Sequence, residues 1–465
     1  MELLCDPGTV HRIRSTAASR RVGVEAREGD GVVGASGRIQ GRPVFCFAQD
    51  SRFVGGSLGE AHAETILRVL SLADEARVPV VGFVESAGAR MHEATAALGG
   101  YGRIFRAVVR LSGRVPQISI VNGTSAGGGS YGPALTDLIV MTHRASMFLT
   151  GPGVVREVTG EEIGQAELGG YRVQERNGVC HVVVPTDIDA AFMARELLGF
   201  LPQNAWESPP RARPEPPPTD NPGASVPREI RHVYDVRDVA RGIVDGGNLL
   251  ELAPRWARNI VTAFARLDGR PVGIIANQPR YIGGVLNAEA SEKGARFVRL
   301  CDAFGLALVT LVDTPGYLPG RRQEARGVIR HGAKLLHAFA EASVPRVSVI
   351  LRQAYGGAYI TMNAKDLGAD FAYAWPRARI GIMGASQAVG IIRRREIANA
   401  DDPVALQADL ADAYAAEHQD ARAAAREGFI DELISPSETR ERLCAAIELL
   451  AAKRGRAGTS GNIPL

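Results

Sequence analysis

No run of 18 apolar residues occurs in the sequence, so no membrane-spanning helix and no membrane partner are expected. The five cysteines, Cys5, Cys46, Cys180, Cys301 and Cys444, stand singly, with no CxxC pair. That spacing suggests neither a disulfide framework nor a zinc site, and no metal is expected. Isolated thiols fit a reducing cytoplasm. The opening MELLCDPGTVHRIR lacks the apolar core of a secretory signal, so the expected location is cytoplasmic. Neither sign of charge predominates: 54 Lys and Arg face 51 Asp and Glu, for a net charge of +3. Composition therefore gives no case for a nucleic-acid partner. Nucleotide loops are missing too. AGGGSYG is not GxxxxGK[ST], and no GxGxxG opens a helix with an acid about 20 residues on. Ser125 and Ser130 do not sit in GxSxG, which argues against a serine hydrolase.

What the sequence has is glycine in particular places. VPQISIVNGTSAGGGSYG (115–132) begins as an apolar strand and runs into three consecutive glycines. Glycine there loses backbone entropy and packs nothing. VPRVSVILRQAYGGAY (344–359) repeats the valine-proline start, the strand and the glycines. The repetition extends further. GRPVFCFAQ from Gly41 returns as GRPVGIIAN from Gly269, and VVGFVESAG from Val80 as LVTLVDTPG from Leu308, both at an offset of 228. Val115-Pro116 and Val344-Pro345, Gly127-Gly128 and Gly356-Gly357, and Asp137-Leu138 and Asp366-Leu367 follow at 229. A chain of 465 residues exceeds one ordinary core, and this period is that of a whole duplicated domain.

Between the copies, residues 201–227 hold nine prolines. They read as a semi-rigid linker, or alternatively as a polyproline recognition segment. The expected organisation is a first domain at 1–201, a linker at 202–229 and a second domain at 230–465. Each half alternates strands with helical stretches (59–76 and 102–112; 290–304 and 330–342), which indicates an α/β fold with crossover connections. The alanine-rich stretch 403–453 reads as helices closing the second half.

Two strands in each half end in glycine-bearing turns: Ala87-Gly88 and Gly127-Gly128, then Pro315-Gly316 and Gly356-Gly357. A glycine turn opening a helix leaves backbone N–H groups unpaired and accessible to a ligand oxygen. That arrangement suits an oxyanion hole, each donor being worth about 3–4 kcal/mol of barrier. Helix dipoles over 127–137 and 356–366 would add to it. The alternative is that the glycines only permit close helix–strand packing. Glu85 and Asp313 end strands and read equally as general acids or bases or as turn caps. His331 and His337 read as helix-surface residues without an acidic partner. With no convincing nucleophile or base, the pattern points to a substrate that carries its own reactivity and an enolate held by the protein.

ESAGAR, GGYGRIF, VPQISIVNGTSAGGGSYGPALTD, VDTPGYLPG, GVIRHGAKLLHAFAEASVP, AYGGAY, YAWP and the terminal GNIPL occur in an order that resembles the carboxyltransferase (β) subunits of biotin-dependent acyl-CoA carboxylases. The propionyl-CoA carboxylase type is the most similar, over roughly residues 30–465. The resemblance implies two tandem crotonase-like domains of the ClpP/crotonase superfamily. The first would bind a short-chain acyl-CoA, the second carboxybiotin carried by a separate biotin carboxylase/carboxyl carrier (α) subunit. It also implies a hexamer, a trimer of dimers, with each site between one subunit's first domain and its partner's second. There carboxybiotin releases carbon dioxide, the ring nitrogen takes the α-proton of the thioester, and the enolate attacks. Gly127 and Gly128 are assigned to the acyl-CoA hole, and Gly357 and Ala358 to the biotin hole. Ala87, Gly88, Gly129, Tyr131, Pro315, Gly316, Gly356 and Ile360 are assigned to substrate binding. Arg90, Lys334 and Lys365 are candidate cations for CoA phosphates, or else solvated surface charges. No AMKM-like biotinylation turn is present.

The chain also departs from the family pattern. It begins after the leading helical segment usual in the family, which bears on CoA affinity and assembly. It has ESAGAR for DSGGAR, TSAGGG for PCAGGA, and Ile360 where propionyl-type members have an acid. These changes suggest a specialised paralogue. A decarboxylase of a malonyl- or methylmalonyl-type thioester and a non-catalytic scaffold paralogue are the alternatives.

Overall fold

The computed structural model describes residues 1–21, 26–454 and 461–462. Val- and Ile-rich runs build two eight-stranded mixed sheets. The first contains β1 (His11–Ile13), β2 (Val32–Ile39), β3 (Arg42–Gln49), β4 (Val80–Ser86), β5 (Gln117–Ala126), β6 (Leu138–Thr142), β7 (Ser146–Phe148) and β8 (Val182–Val184). Its order is β1-β2-β3-β4-β5-β6-β8, with β7 paired to β5. The second contains β9 (Leu250–Leu252), β10 (Ile260–Leu267), β11 (Arg270–Asn277), β12 (Ala307–Thr314), β13 (Arg346–Tyr355), β14 (Phe371–Ala374), β15 (Arg379–Gly381) and β16 (Glu432–Leu433). It repeats the order as β16-β14-β13-β12-β11-β10-β9, with β15 on β13. In both, the first three strands are antiparallel and the rest parallel. The irregularities are duplicated as well. The pairing shifts between Val84 and Ser86 in one sheet and between Val312 and Thr314 in the other.

The parallel strands carry apolar side chains on both faces because helices cover both; every residue of β12 and β13 is buried. α1 (Glu60–Ala76) turns Ala63, Ile66, Val69, Leu70 and Ala73 inward at helical spacing. α2 (Ala94–Leu111) begins earlier than its glycines suggest. Gly100 does not break it, because a Cβ there would lie 2.8 Å from Ala63 Cβ, so the residue permits the close crossing with α1. The helices Ala288–Ala303 and Val328–Glu341 match the expected ones in the second half. The 403–453 stretch forms helices Pro403–His418, Ala421–Arg426 and Thr439–Leu449, but also contributes the edge strand β16. One core cluster runs through both halves, with the Phe200 and Phe264 rings stacked 5.7 Å apart.

One expectation is corrected by the strand pairing. The repeat partner of Asp137 is Asp370, not Asp366. Asp137 Oδ2 accepts the N–H of Gln117 at the start of β5, and Asp370 Oδ2 that of Arg346 at the start of β13. Four extra residues before β14 misalign the sequence match. The proline-rich segment has neither long helix nor central strand, yet it does not hang free between the halves. Arg266 donates to Pro210 O, Ala212 N–H to Gly269 O, and Arg440 to Glu215 O. Trp206 lies under the guanidinium groups of Arg77 and Arg114.

The loop after β4 is held by a buried ion network. Arg90, 1% exposed, reaches Asp30 at 2.7 Å, Glu93 at 2.9 Å and the Ser57 carbonyl at 3.0 Å. Desolvation pushes both acids up. It prevails at Asp30, whereas hydrogen bonds from Glu60 N–H, Ser19 and Arg90 hold Glu93 below its ordinary value. Burial, with Arg90 beside it, pushes His62 down to about 3, so the ring is neutral. Removing that cation leaves two acids buried without a counter-charge. Arg90→Met is therefore expected to lower stability by about 3–5 kcal/mol, read as a drop in the urea midpoint; an unchanged midpoint would show the network to be dispensable.

Candidate active site

Each half ends its long central strand in a turn that only glycine adopts easily. Gly127 has φ 56° and ψ −124°, and Gly356 has φ 60°. α3 (Gly128–Ala134) follows the first and the helix Gly356–Thr361 starts at the second. The N–H groups of Gly128 and Gly129 lie in a first helical turn and find no acceptor among the described residues; the same holds for Gly357 and Ala358. Gly127 differs: its N–H donates to Phe148 O at 3.1 Å. The free donors of the first half are thus Gly128 and Gly129, and Gly127 serves as the turn. A Cβ on Gly357 would meet nothing within 4 Å, so that turn faces open space.

The second turn in each half contributes less than the sequence suggested. Ala87 N–H is taken by Gly55 O at 3.0 Å, and Gly88 N–H contacts Ser86 Oγ at 3.2 Å. Pro315 has no N–H at all. Among the described residues, Gly316 N–H has only Thr314 Oγ1, at 3.4 Å. Both helices are short, and Pro133 interrupts α3, so the dipole contribution expected over 127–137 and 356–366 is reduced.

Several polar side chains near the strand ends are engaged within the fold. Ser130 is buried, and its hydroxyl reaches Ser125 O at 2.6 Å and Phe148 O at 3.0 Å. Asp313 is fully buried against Arg352 at 3.0 Å and Tyr234 OH at 2.9 Å, and desolvation raises its carboxyl. His331 does have an acidic partner, with Glu292 2.8 Å from Nδ1, supplied by a helix 39 positions earlier in the chain. His337 stays on the helix surface. The candidate phosphate cations are all engaged. Arg90 is in the buried network, Lys334 pairs with Glu292 at 3.0 Å, and Lys365 with Asp431 at 2.6 Å.

Sequence reasoning missed one duplicated element. Val54-Gly55-Gly56 and Ile282-Gly283-Gly284 form the same tight turn, with φ of 46° at Val54 and 44° at Ile282. Positive φ is strained for a β-branched residue. The turn presses a glycine onto the end of β4 or β12, where a Cβ on Gly56 would collide with Glu85 O and one on Gly284 would lie 2.6 Å from Asp313 O. The signal was present as VGG and IGG at the 228 offset.

Around the open turns, apolar side chains are exposed at matching positions. Leu149 and Ile382 lie beside Gly127 and Gly356, and Tyr131 and Ile360 stand on the two turn helices. Tyr101 lies under Gly128, so a Cβ there would come 2.8 Å from its ring. Gly128→Ala should therefore destabilise by about 1–3 kcal/mol through overpacking. Gly357→Ala should leave stability unchanged within about 0.5 kcal/mol. Thermal melts of the two variants compare them directly, and equal shifts would contradict the difference in space.

The carboxyl transferase domain family matches residues 1–460. The propionyl-CoA carboxylase carboxyltransferase subunit of Haloferax mediterranei is 46% identical, over 100% of this chain and 92% of the relative. The methylmalonyl-CoA decarboxylase subunit alpha of Veillonella parvula is 45% identical, over 95% of this chain and 87% of the relative. The crystal structure of transcarboxylase 12S with methylmalonyl-coenzyme A and methylmalonic acid bound superposes with a TM-score of 0.94 at 43% identity, covering 99% of this chain and 91% of that one. The two sheets are tandem crotonase-like domains, as the resemblance implied. The chain belongs to the carboxyl transferase domain family.

Proposed function

We propose that the protein is the carboxyltransferase subunit of an acyl-CoA carboxylase, moving a carboxyl group from carboxybiotin on a separate carrier subunit to the α-carbon of a short-chain acyl-CoA. The observation that carries this reading is the pair of glycine turns, 229 residues apart, each with two N–H groups that find no acceptor among the described residues. Gly128 and Gly129 would hold the thioester oxygen as negative charge develops on it. Gly357 and Ala358 would hold the ureido oxygen of biotin, and the open space over Gly357 fits that group. When bound, carboxybiotin supplies the carboxyl group and its ring nitrogen accepts the α-proton. The chain's own contribution is to orient the two oxygens and stabilise charge with preorganised donors.

The exposed apolar residues beside both turns support a homo-oligomer in which one subunit's first half faces its partner's second half; transcarboxylase 12S is a hexamer by its own description. An α-type subunit with biotin carboxylase and carrier functions completes the system. No described helix is long and apolar enough to cross a membrane.

Purified protein mixed with candidate biotin-carrying subunits, ATP, bicarbonate and a panel of acyl-CoAs should give a carboxylated thioester by mass. Gly128→Pro and Ala358→Pro each delete one donor, and each should lower kcat by about 10²–10³-fold; Gly128→Ala, which adds the same Cβ against Tyr101 but keeps the N–H, is the control for the accompanying loss of stability. Activity that survived either change would remove that donor from the assignment. Ile360, 46% exposed beside Gly357, is the candidate pocket wall. Ile360→Asp should change the ratio of kcat/KM between acetyl- and butyryl-CoA by about 10-fold or more, the scale of one to two methylenes. An unchanged ratio would place the acyl chain elsewhere.

A further inference from the structure

Of the terminal GNIPL motif, Gly461 and Asn462 are described, and Ile463, Pro464 and Leu465 lie outside the described residues. Asn462 is 1% exposed, buried against the opposite half of the chain. Its N–H donates to Ser112 Oγ at 2.9 Å, and its Nδ2 to Asp137 Oδ1 at 2.9 Å. Arg299 donates to Gly461 O at 3.0 Å, and Arg296 to Thr136 O at 2.8 Å, so the helix Ala288–Ala303 of the second half backs the contact.

These partners stand at the far ends of the two elements that border the first glycine turn. Ser112 ends α2, whose Tyr101 ring lies under Gly128 and whose Tyr101 OH meets Ser86 Oγ at 3.3 Å. Asp137 follows α3 by three residues and ties it to the start of β5 through Gln117 N–H at 2.9 Å. The second half has a counterpart. Asp370, the structural equivalent of Asp137, accepts Arg346 N–H and is held by Lys453 Nζ at 2.6 and 2.7 Å. The end of the chain therefore reaches equivalent aspartates in both halves, with a cation on one and an amide on the other.

We infer that Asn462 is a positioning residue for carboxyl transfer: acting through Asp137 and Ser112, it sets the placement of the Gly128 and Gly129 donors. The inference rests on the assignment of those donors to the thioester oxygen. A displacement of about 1 Å at a reacting centre lowers a rate by about 10²-fold, so small shifts of α3 would be felt in kcat. Asn462 Oδ1 has no partner among the described residues. The contact can therefore be inverted by rotating the amide, and Asp137→Asn is expected to be nearly silent.

The test uses the full chain with methylmalonyl-CoA as donor and biocytin as acceptor. The carboxyl carbon leaves the α-carbon for the ring nitrogen, and that nitrogen's proton goes to the α-carbon, giving propionyl-CoA and carboxybiocytin. Asn462→Asp sets two carboxylates against each other and should lower kcat about 10-fold or more, with KM for methylmalonyl-CoA within about twofold. The double variant D137N/N462D restores one carboxylate–amide bond with the roles exchanged, and should recover most of the lost kcat. A wild-type kcat in N462D, or no recovery in the double variant, overturns the inference. If N462D does not fold, Asn462→Ala against wild type decides in the same way. Gly128→Pro separates the two levels. If it is inactive beside an active Gly128→Ala, and N462D is active, only the positioning role fails; if it is active, the donor assignment fails first.

Discussion

The site depends on a constraint of backbone geometry. A β-strand satisfies its N–H and C=O groups through its neighbours, and a helix leaves its first N–H groups unmet. To present free donors at the end of a buried parallel strand, the chain must leave the ladder within one residue and begin a helix. Gly127 and Gly356 do this with positive φ. At Gly127 the turn residue also gives its own N–H to Phe148 O, a bond that pins the turn and leaves the following two donors outward. Other features of each half brace that arrangement: the β-bulge at the neighbouring strand, the strained Val54 and Ile282 turns, and the rings and helices behind them.

The two halves preserve this backbone and differ in the polar chemistry that supports it. In the second half, Asp313 at the bulge is neutralised by Arg352. The corresponding pair in the first half is Glu85 and Gly123, and a Cβ on Gly123 would collide with the Glu85 carboxyl. The first half instead buries its ion network one loop away, around Arg90. Duplication thus retained what hydrogen-bond geometry demands and let burial of charge be solved twice. The first half has a rigid loop held by two acids and an arginine. The second leaves its turn beside an open space.

Much of the fold was legible because period and punctuation survive in the chain. The 228 and 229 offsets, the two apolar strands and the amphipathic helices 59–76 and 330–342 correspond to elements of the structure. The site was legible as positions and less so as donors. Gly128, Gly357 and Ala358 have open N–H groups, but Gly127 and Ala87 do not, because carbonyls from residues 148 and 55 reach them. His331 lacked a visible acid because Glu292 is on another helix. Arg90 looked like a surface cation because nothing in ESAGAR announces Asp30, whose carboxylate comes from a loop 60 positions earlier.

The sequence by itself determined the duplication, the α/β character and the glycine turns, since these follow from local preference: where side chains alternate, where a Cβ cannot be borne, where a helix can start. Only the tertiary structure decided which N–H groups stay free, which charges are buried in pairs, and that the chain's end returns to Asp137. Those outcomes depend on atoms distant in sequence competing for the same hydrogen bond, and no local pattern records the winner.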